Sequence, residues 1–451
     1  MTKKYLIETF GCQMNFHDSE RMAGLLEQAG YEPTDESREA DVVVINTCSV
    51  RERAEDKLYS RLGELRADAQ ELGRRPVLAV TGCVAQQEGA ALRKRSKDID
   101  VILGTQRLKM LPMLVEQAQA GSHTHPSVDI SPHDDVSFPL GIARRGDPVK
   151  AYVNIIEGCN DFCSFCVVPY TRGHERMRPV RDILDEVREA ADTGRREVQL
   201  LGQIVNHYEA PDDDACDFAE LLERVARIEG IERIRFASPH PRHVNPRLID
   251  ALRDIPQVCK HLHLPVQSGS SRVLKNMRRR YTRESYLELV EQVRAGVPDI
   301  ALSTDMIVGF PGETLEDFSL TLSLVEQVRF HSMFSFKYSP RPNTLAEKRL
   351  PDDVPEPEKS RRGGEMQALQ KTIQTALHEA AVGRVFDVLV DSTSRKREWE
   401  LSGRTTGNTV VNFPAPMKTS GEPDWVGRTI GVRITEAGPN SLRGTAGPHA
   451  D

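Results

Sequence analysis

Residues 157–173 read EGCNDFCSFCVVPYTRG, with Cys159, Cys163 and Cys166 at C-x3-C-x2-C spacing and no fourth cysteine nearby. Structural zinc takes four ligands, usually as C-x2-C pairs, and although His174 follows, no spacing rule ties it to these three. Ferredoxin-type 4Fe–4S cubes take four thiolates, one for each iron. Three thiolates therefore leave one iron open to an outside ligand, and the missing cysteine becomes the informative feature. The segment follows a strand-like run, AYVNII (151–156). That places it at the carboxyl end of a strand, the edge on which β/α folds carry their chemistry. An iron–sulfur loop on the first strand of a β/α domain is the reading from which the other assignments follow.

Outward from this loop, strand-like runs recur at VQLL (198–201), RIRFA (233–237), HLHL (261–264), ALSTDMIV (301–308) and FSFKY (334–338), with helical patterns between them. Six such units predict a right-handed parallel α/β sheet curled into a partial (β/α)6 barrel over 149–378. Upstream, KYLIETFGC, DVVVINTCS and VLAVTGC each carry an apolar run into a cysteine. Cys12, Cys48 and Cys83 lie 36 and 35 residues apart, about one strand–helix–strand period. Continuous Val/Ile/Leu runs suit strands buried on both faces, so residues 3–120 read as an open parallel α/β domain. Its strand ends share one edge, where three cysteines can converge on a second cluster. ILGT (102–105) reads as a fourth strand without a cysteine. Cys216 and Cys259 have no partners at such spacing and are read as unligated.

Residues 121–148 are rich in Pro, Ser, His and Asp and read as a linker. His123, His125 and His133 within it follow no ligand spacing and are read as solvated. Residues 356–383 read as a long helix. The short strands and turns of 380–447 then predict a small antiparallel β-barrel, a size that often serves nucleic-acid binding.

The 451 residues, 39% hydrophobic and 28% charged, describe an ordinary multidomain protein. No apolar run approaches the roughly 18 residues of a membrane span. MTKKYLIETF runs straight into a strand without a signal peptide's features, so a cytoplasmic location and reduced cysteines are expected. Net charge is −7, but residues 380–447 hold nine Lys/Arg against seven Asp/Glu. A mildly basic tail on an acidic body agrees with a nucleic-acid contact as well as with an ordinary surface.

The three-cysteine signature in its strand context resembles the radical S-adenosylmethionine (SAM) superfamily. The order of domains, with TFGCQMN, INTCSVRERAEDK, TGCVAQ, CVVPYTRG, HLPVQSGS, DMIVGFPGET, YSPRPNT, ELSGRT and VVNFP, resembles the methylthiotransferase family within it, with a C-terminal barrel of the TRAM type. CVVPYTRG and VVNFP point to the tRNA branch. The resemblance implies two 4Fe–4S clusters, a sulfur-donating one on Cys12, Cys48 and Cys83 and a radical-generating one on Cys159, Cys163 and Cys166. No further catalytic residue is assigned. It implies that SAM chelates the open iron, that Phe165 packs by its adenine, and that a 5′-deoxyadenosyl radical and a methylated sulfur make a C–S bond at C2 of isopentenylated adenosine beside the anticodon. Gly202, Gln203, Gln267, Ser268, Asp305, Gly309 and Glu313 are candidate SAM contacts, with local turn-shaping as the alternative. Arg395, Lys396, Arg397 and Arg404 are candidate tRNA-phosphate contacts. A small electron-donor protein is the implied partner, and a monomer is expected. The family often has a serine where this chain has Met177, which cannot donate a hydrogen bond. Relatives that modify a ribosomal-protein aspartate or a threonylcarbamoyl-adenosine, and a non-enzymatic iron–sulfur RNA-binding sensor, are the competing readings.

Overall fold

The computed structural model describes residues 2–49, 52–121, 127–132, 137–394, 397–415 and 424–447. His123, His125, His133, Arg395 and Lys396 lie outside the described residues. The chain forms two compact units. The first holds Met1–Gly146 together with Glu157–Asp161 and Cys166–Arg176, and the second holds Asp147–Ile156, Phe162–Phe165 and Met177–Asp451.

In the first unit six parallel strands form one sheet: β1 (Lys3–Phe10), β2 (Tyr31–Pro33), β3 (Val42–Thr47), β4 (Val77–Gly82), β5 (Val101–Leu103) and β6 (Ser127–Asp129), in the order β2-β1-β3-β4-β5-β6. Every residue of β3 is buried, as expected for a central strand covered on both faces. Register decides where the strands stop: Phe10 pairs with Thr47, and Thr47 with Gly82. The three cysteines that follow therefore leave the sheet side by side. The stretch 121–148, expected to be a linker, is in part structural. Ser127–Asp129 adds an edge strand, and the Arg144 amide bonds to the Glu20 carbonyl on the helix Gln13–Gln28. A three-residue strand is too short for its periodicity to show in sequence.

The second unit begins with β7 (Lys150–Asn154), and the short strands β8 (Ile156–Glu157) and β9 (Arg176–Met177) flank the cysteine loop in sequence. The remaining barrel strands are β10 (Glu197–Leu201), β11 (Arg233–Phe236), β12 (His261–His263), β13 (Ala301–Val308) and β14 (Ser332–Lys337). They form two three-stranded parallel sheets, β11-β10-β7 and β12-β13-β14, and an isolated bridge pairs Ile234 of β11 with Val258, which precedes β12. Alternation along the strands sorts their side chains. Val198, Leu200, Ile234, Phe236, Leu262 and Leu302 join the hydrophobic core. Glu197, Arg233, Arg235, His261, His263, Ser303 and Asp305 take the other face.

Five strands, β15 (Val385–Ser394), β16 (Arg397–Arg404), β17 (Val410–Pro414), β18 (Thr429–Ala437) and β19 (Leu442–Ala446), close the C-terminal barrel in the order β15-β16-β17-β19-β18. Two inward arginines of β11 hold it. Arg233 donates to the Arg404 and Asp387 carbonyls, and Arg235 to those of Thr405 (2.7 Å) and Thr406 (3.0 Å). Arg235 also pairs with buried Glu197 at 2.8 Å. The small barrel thus abuts the amino-terminal ends of the larger barrel's strands.

Arg235→Ala leaves Glu197 buried and uncompensated, a loss of about 3–5 kcal/mol. The variant should show an earlier denaturant midpoint and faster proteolytic release of residues 380–447; unchanged release would remove the docking role.

Candidate functional site: two cysteine centres

In the first unit the thiols of Cys12, Cys48 and Cys83 meet. Cys48 hydrogen-bonds to both others, which pulls Cys12 down to about 6 and Cys83 to about 7 and pushes Cys48 up. The fold supports this convergence in three ways. Cys12 stands at the N-cap of the helix Gln13–Gln28, where the Met14 and Asn15 backbone lowers it further, and Cys83 is the first residue of the helix Cys83–Glu88. The chain must also pass close by. A Cβ on Gly11 would fall 2.6 Å from Cys48 Cβ, and one on Gly82 (φ 90°) would fall 2.4 Å from Asn46 Oδ1. A polar floor completes the support: Asn15 Oδ1 lies 3.2 Å from Cys12 Sγ, its Nδ2 donates to Asn46 Oδ1, and Asn46 donates to Ser19.

A cation faces this trio from within the same unit. Arg172, 3% exposed, pairs with Asp18 at 2.8 Å, and its charge further lowers Cys12 and Cys83. The Arg172 and Thr171 carbonyls accept from Gln106 Nε2 (2.9 Å) and Thr105 Oγ1 (2.6 Å), just beyond β5. The strand without a cysteine therefore anchors the segment that brings in the arginine. Arg172 stands in the quoted CVVPYTRG, but nothing in its spacing links it to cysteines some 90 to 160 residues upstream.

The second trio lies on one loop. Cys159 N–H donates to the Gly173 carbonyl at 3.1 Å, closing the base of the loop within the first unit. The loop's centre, Phe162–Phe165, belongs to the second unit. There Ser164 N–H bonds to the Met277 carbonyl (3.0 Å), Ser164 Oγ to Asn276 O (2.7 Å), and Arg279 Nη1 to Cys163 Sγ (3.4 Å). Phe165 packs on a cluster of Val273, Met277, Phe310, Tyr338 and Ala346. All eight cysteines are free thiols, and buried Cys216 and Cys259 are pushed up by desolvation, as suits inert core positions.

The residues of the first trio suit an iron–sulfur centre. Cluster ligands must be deprotonated, and in the first trio Cys12 and Cys83 are held low beside a fixed cation, while Cys48 is held high as the thiol that donates to both. No group of three or more His, Cys, Asp or Glu side chains among the described residues is set to hold a single metal ion. A cube instead gives each thiolate an iron of its own.

The candidate SAM contacts divide. Gln203 and Asp305 stay partly exposed, with Asp305 3.5 Å from His263. Gln267 (φ 74°) bridges to Met306, and buried Gly202 packs on Ile156. Ser268 faces Thr321 Oγ1 at 3.4 Å. Glu313 pairs with Arg362 at 2.7 Å and accepts from Gly309 N–H, so its carboxylate shapes the turn around Pro311. Met177 Sδ accepts from Glu209 N–H at 3.0 Å. Of the candidate tRNA contacts that are described, Arg397 lies over the exposed ring of Trp399, and Arg404 bonds to Asn408.

The same division appears in comparisons with known proteins. Residues 4–104 match the uncharacterized protein family UPF0004, residues 153–325 the radical SAM superfamily, and residues 379–446 the TRAM domain. Cysteine loop, parallel half-barrel and family match together define a radical SAM enzyme. A protein of Burkholderia ambifaria (strain MC40-6) named tRNA-2-methylthio-N(6)-dimethylallyladenosine synthase is 47% identical over 98% of this chain and 97% of its own. One of that name from Syntrophotalea carbinolica is 43% identical over 98% and 99%. The chain belongs to the tRNA-2-methylthio-N(6)-dimethylallyladenosine synthase family. Among solved structures, the radical SAM methyltransferase TsrM of Kitasatospora setae shares the fold, with TM-score 0.57 at 14% identity over 77% of this chain and 75% of its own.

The lowered Cys12 thiol gives a direct check. In the metal-free protein, iodoacetamide should label Cys12 ahead of Cys216 and Cys259, and labelling should persist as pH falls from 9 toward 6, since the thiolate survives down to its lowered value. Equal labelling of the three would contradict the convergence.

Proposed function

We propose that this protein uses SAM and 4Fe–4S clusters to place a methylthio group on C2 of N6-isopentenyladenosine beside the anticodon of tRNA, with the sulfur donor held by Cys12, Cys48 and Cys83 and the SAM-cleaving cluster by Cys159, Cys163 and Cys166. The supporting observation is the coexistence of two three-thiol sets: one meets at the carboxyl edge of a parallel sheet, the other follows the first strand of a half-barrel. A purine C2–H is not acidic, so an ordinary general base does not remove it well. Bound at these thiols, the clusters and SAM supply one-electron chemistry and sulfur.

The chain's own task is to hold, orient and exclude water. Phe165 offers an apolar wall for an adenine. Gly202, Gln203, Gln267, Asp305 and Gly309 line the SAM site, and Ser268 and Glu313 support it through Thr321 and Arg362. The Arg233 and Arg235 contacts to the TRAM barrel cover one end of the strands, so adenine enters from the cysteine end. Arg397, Arg404 and exposed Trp399 suit contact with tRNA phosphates and bases. The loop-borne target base leaves its stack at modest cost. Curated relatives carry the tRNA activity in their names over nearly the whole length, which leaves the ribosomal-protein aspartate and the non-enzymatic sensor without support. A small electron-donor protein, a monomeric state and a cytoplasmic location complete the proposal. Among the described residues no helix is long and apolar enough to cross a membrane.

Cys163→Ala should abolish SAM cleavage while keeping an N-terminal cluster. Cys48→Ala should still cleave SAM but yield no methylthio product, and product from Cys48→Ala would overturn the sulfur-donor assignment. Nucleoside mass spectrometry of tRNA from cells lacking the gene should show N6-isopentenyladenosine accumulating without its methylthio form.

A further inference from the structure

The second unit contains a buried cation that the assignments above leave without a role. Arg279 is 7% exposed. Its guanidinium donates from Nη1 to Cys163 Sγ (3.4 Å), from Nη2 to the Pro265 carbonyl (3.0 Å) and from Nε to Tyr281 Oη (2.9 Å). None of these acceptors is a carboxylate. The contrast with Arg172, whose charge Asp18 offsets at 2.8 Å, is physical: Arg279 leaves a whole positive charge beside a sulfur.

The backbone is bent to place it. The helix Ser271–Asn276 ends in a Schellman turn, with Arg278 N–H on Lys275 O and Arg279 N–H on Leu274 O, both 3.0 Å. Arg278 (φ 59°) occupies the left-handed position usually given to glycine, and Arg280 (φ 58°) is left-handed as well. Each costs about 1–2 kcal/mol in a non-glycine residue. Arg279 stands between them where such turns usually place an apolar contact, and its side chain goes to the sulfur instead. Strain of this kind persists where the surroundings over-determine it, and it gathers at functional sites. Phe162, immediately before Cys163, is also left-handed (φ 47°). Both partners of the N–H···S bond are therefore held by strained backbone.

We propose that Arg279 is a positioning residue that sets the reduction potential of the SAM-cleaving cluster through Cys163. An N–H···S bond and a nearby uncompensated cation both favour the electron-rich state of a thiolate-held cluster, which raises its potential and brings it within reach of a biological donor. The same side chain ties Cys163 to Pro265, two residues before Gln267, so sulfur and SAM-site backbone share one support. The proposal rests on Cys163 being a ligand of that cluster.

The test is a redox titration of the full-length anaerobic holoenzyme. Reduced cluster is followed by electron paramagnetic resonance, and the signal that responds to added SAM marks the relevant centre. With iron and sulfide content matched to wild type, Arg279→Met should lower the reduced-to-oxidised ratio about tenfold at a fixed poise, about 59 mV for one electron. Arg279→Lys, which keeps the charge, should recover part of the loss. A fully loaded Arg279→Met protein with wild-type potential overturns the proposal. Should that variant lose its iron, Tyr281→Phe, which removes the acceptor of Nε and leaves the charge, should shift the potential in the same direction by less; no shift there overturns it equally. A wild-type protein without any SAM-responsive signal would instead defeat the cluster assignment on which the proposal rests.

Discussion

A sulfur anion in a protein interior needs charge or N–H donors facing it, and much of this molecule's architecture near its cysteines meets that need. In the first unit the start of the helix Gln13–Gln28 faces Cys12, and Arg172 sits buried against Asp18 beside Cys12 and Cys83. In the second unit Arg279 reaches Cys163. Neither arginine belongs to a strand core. Each comes in on an irregular segment, held by backbone carbonyls or a strained turn. The price of burying such cations and thiols is moderated by pairing them with one another.

The two units meet this constraint with different frames. A parallel sheet in register ends three strands together, so three cysteines separated by a strand–helix period arrive at one place. Small residues make the approach possible: Gly11 and Gly82 stand where any side chain would strike Cys48 or Asn46. The half-barrel keeps its apolar residues toward the helices and a polar row on the other face. Arg233 and Arg235 in that row hold the TRAM barrel by its carbonyls, so a module expected only to meet tRNA also covers the strand ends.

Some of the fold was legible because it repeats. Apolar runs at strand spacing announced the main strands of the first sheet, the six barrel strands and the terminal barrel. Tyr31–Pro33 and Ser127–Asp129 were missed, since three residues carry no measurable period and the latter lay in a polar stretch. Motif spacing singled out two cysteine sets, and the structure brings the first together. The spacing was silent on Asp18, Asn46, Arg172 and Arg279, which are ordinary residue types made special by what they face. Glu313 was read as a possible cofactor contact from its place after β13; what the sequence did not show is that Arg362 and the Gly309 N–H hold its Oε2.

Sequence alone determined the kinds of domain and their order, because local periodicity is a property of the chain itself. Tertiary structure alone decided that Cys12, Cys48 and Cys83 meet, that one buried arginine is neutralised while another keeps its charge for a sulfur, and that the TRAM barrel docks through β11. Those outcomes depend on register, burial and contacts between residues far apart in the chain, and none of these has a local signature.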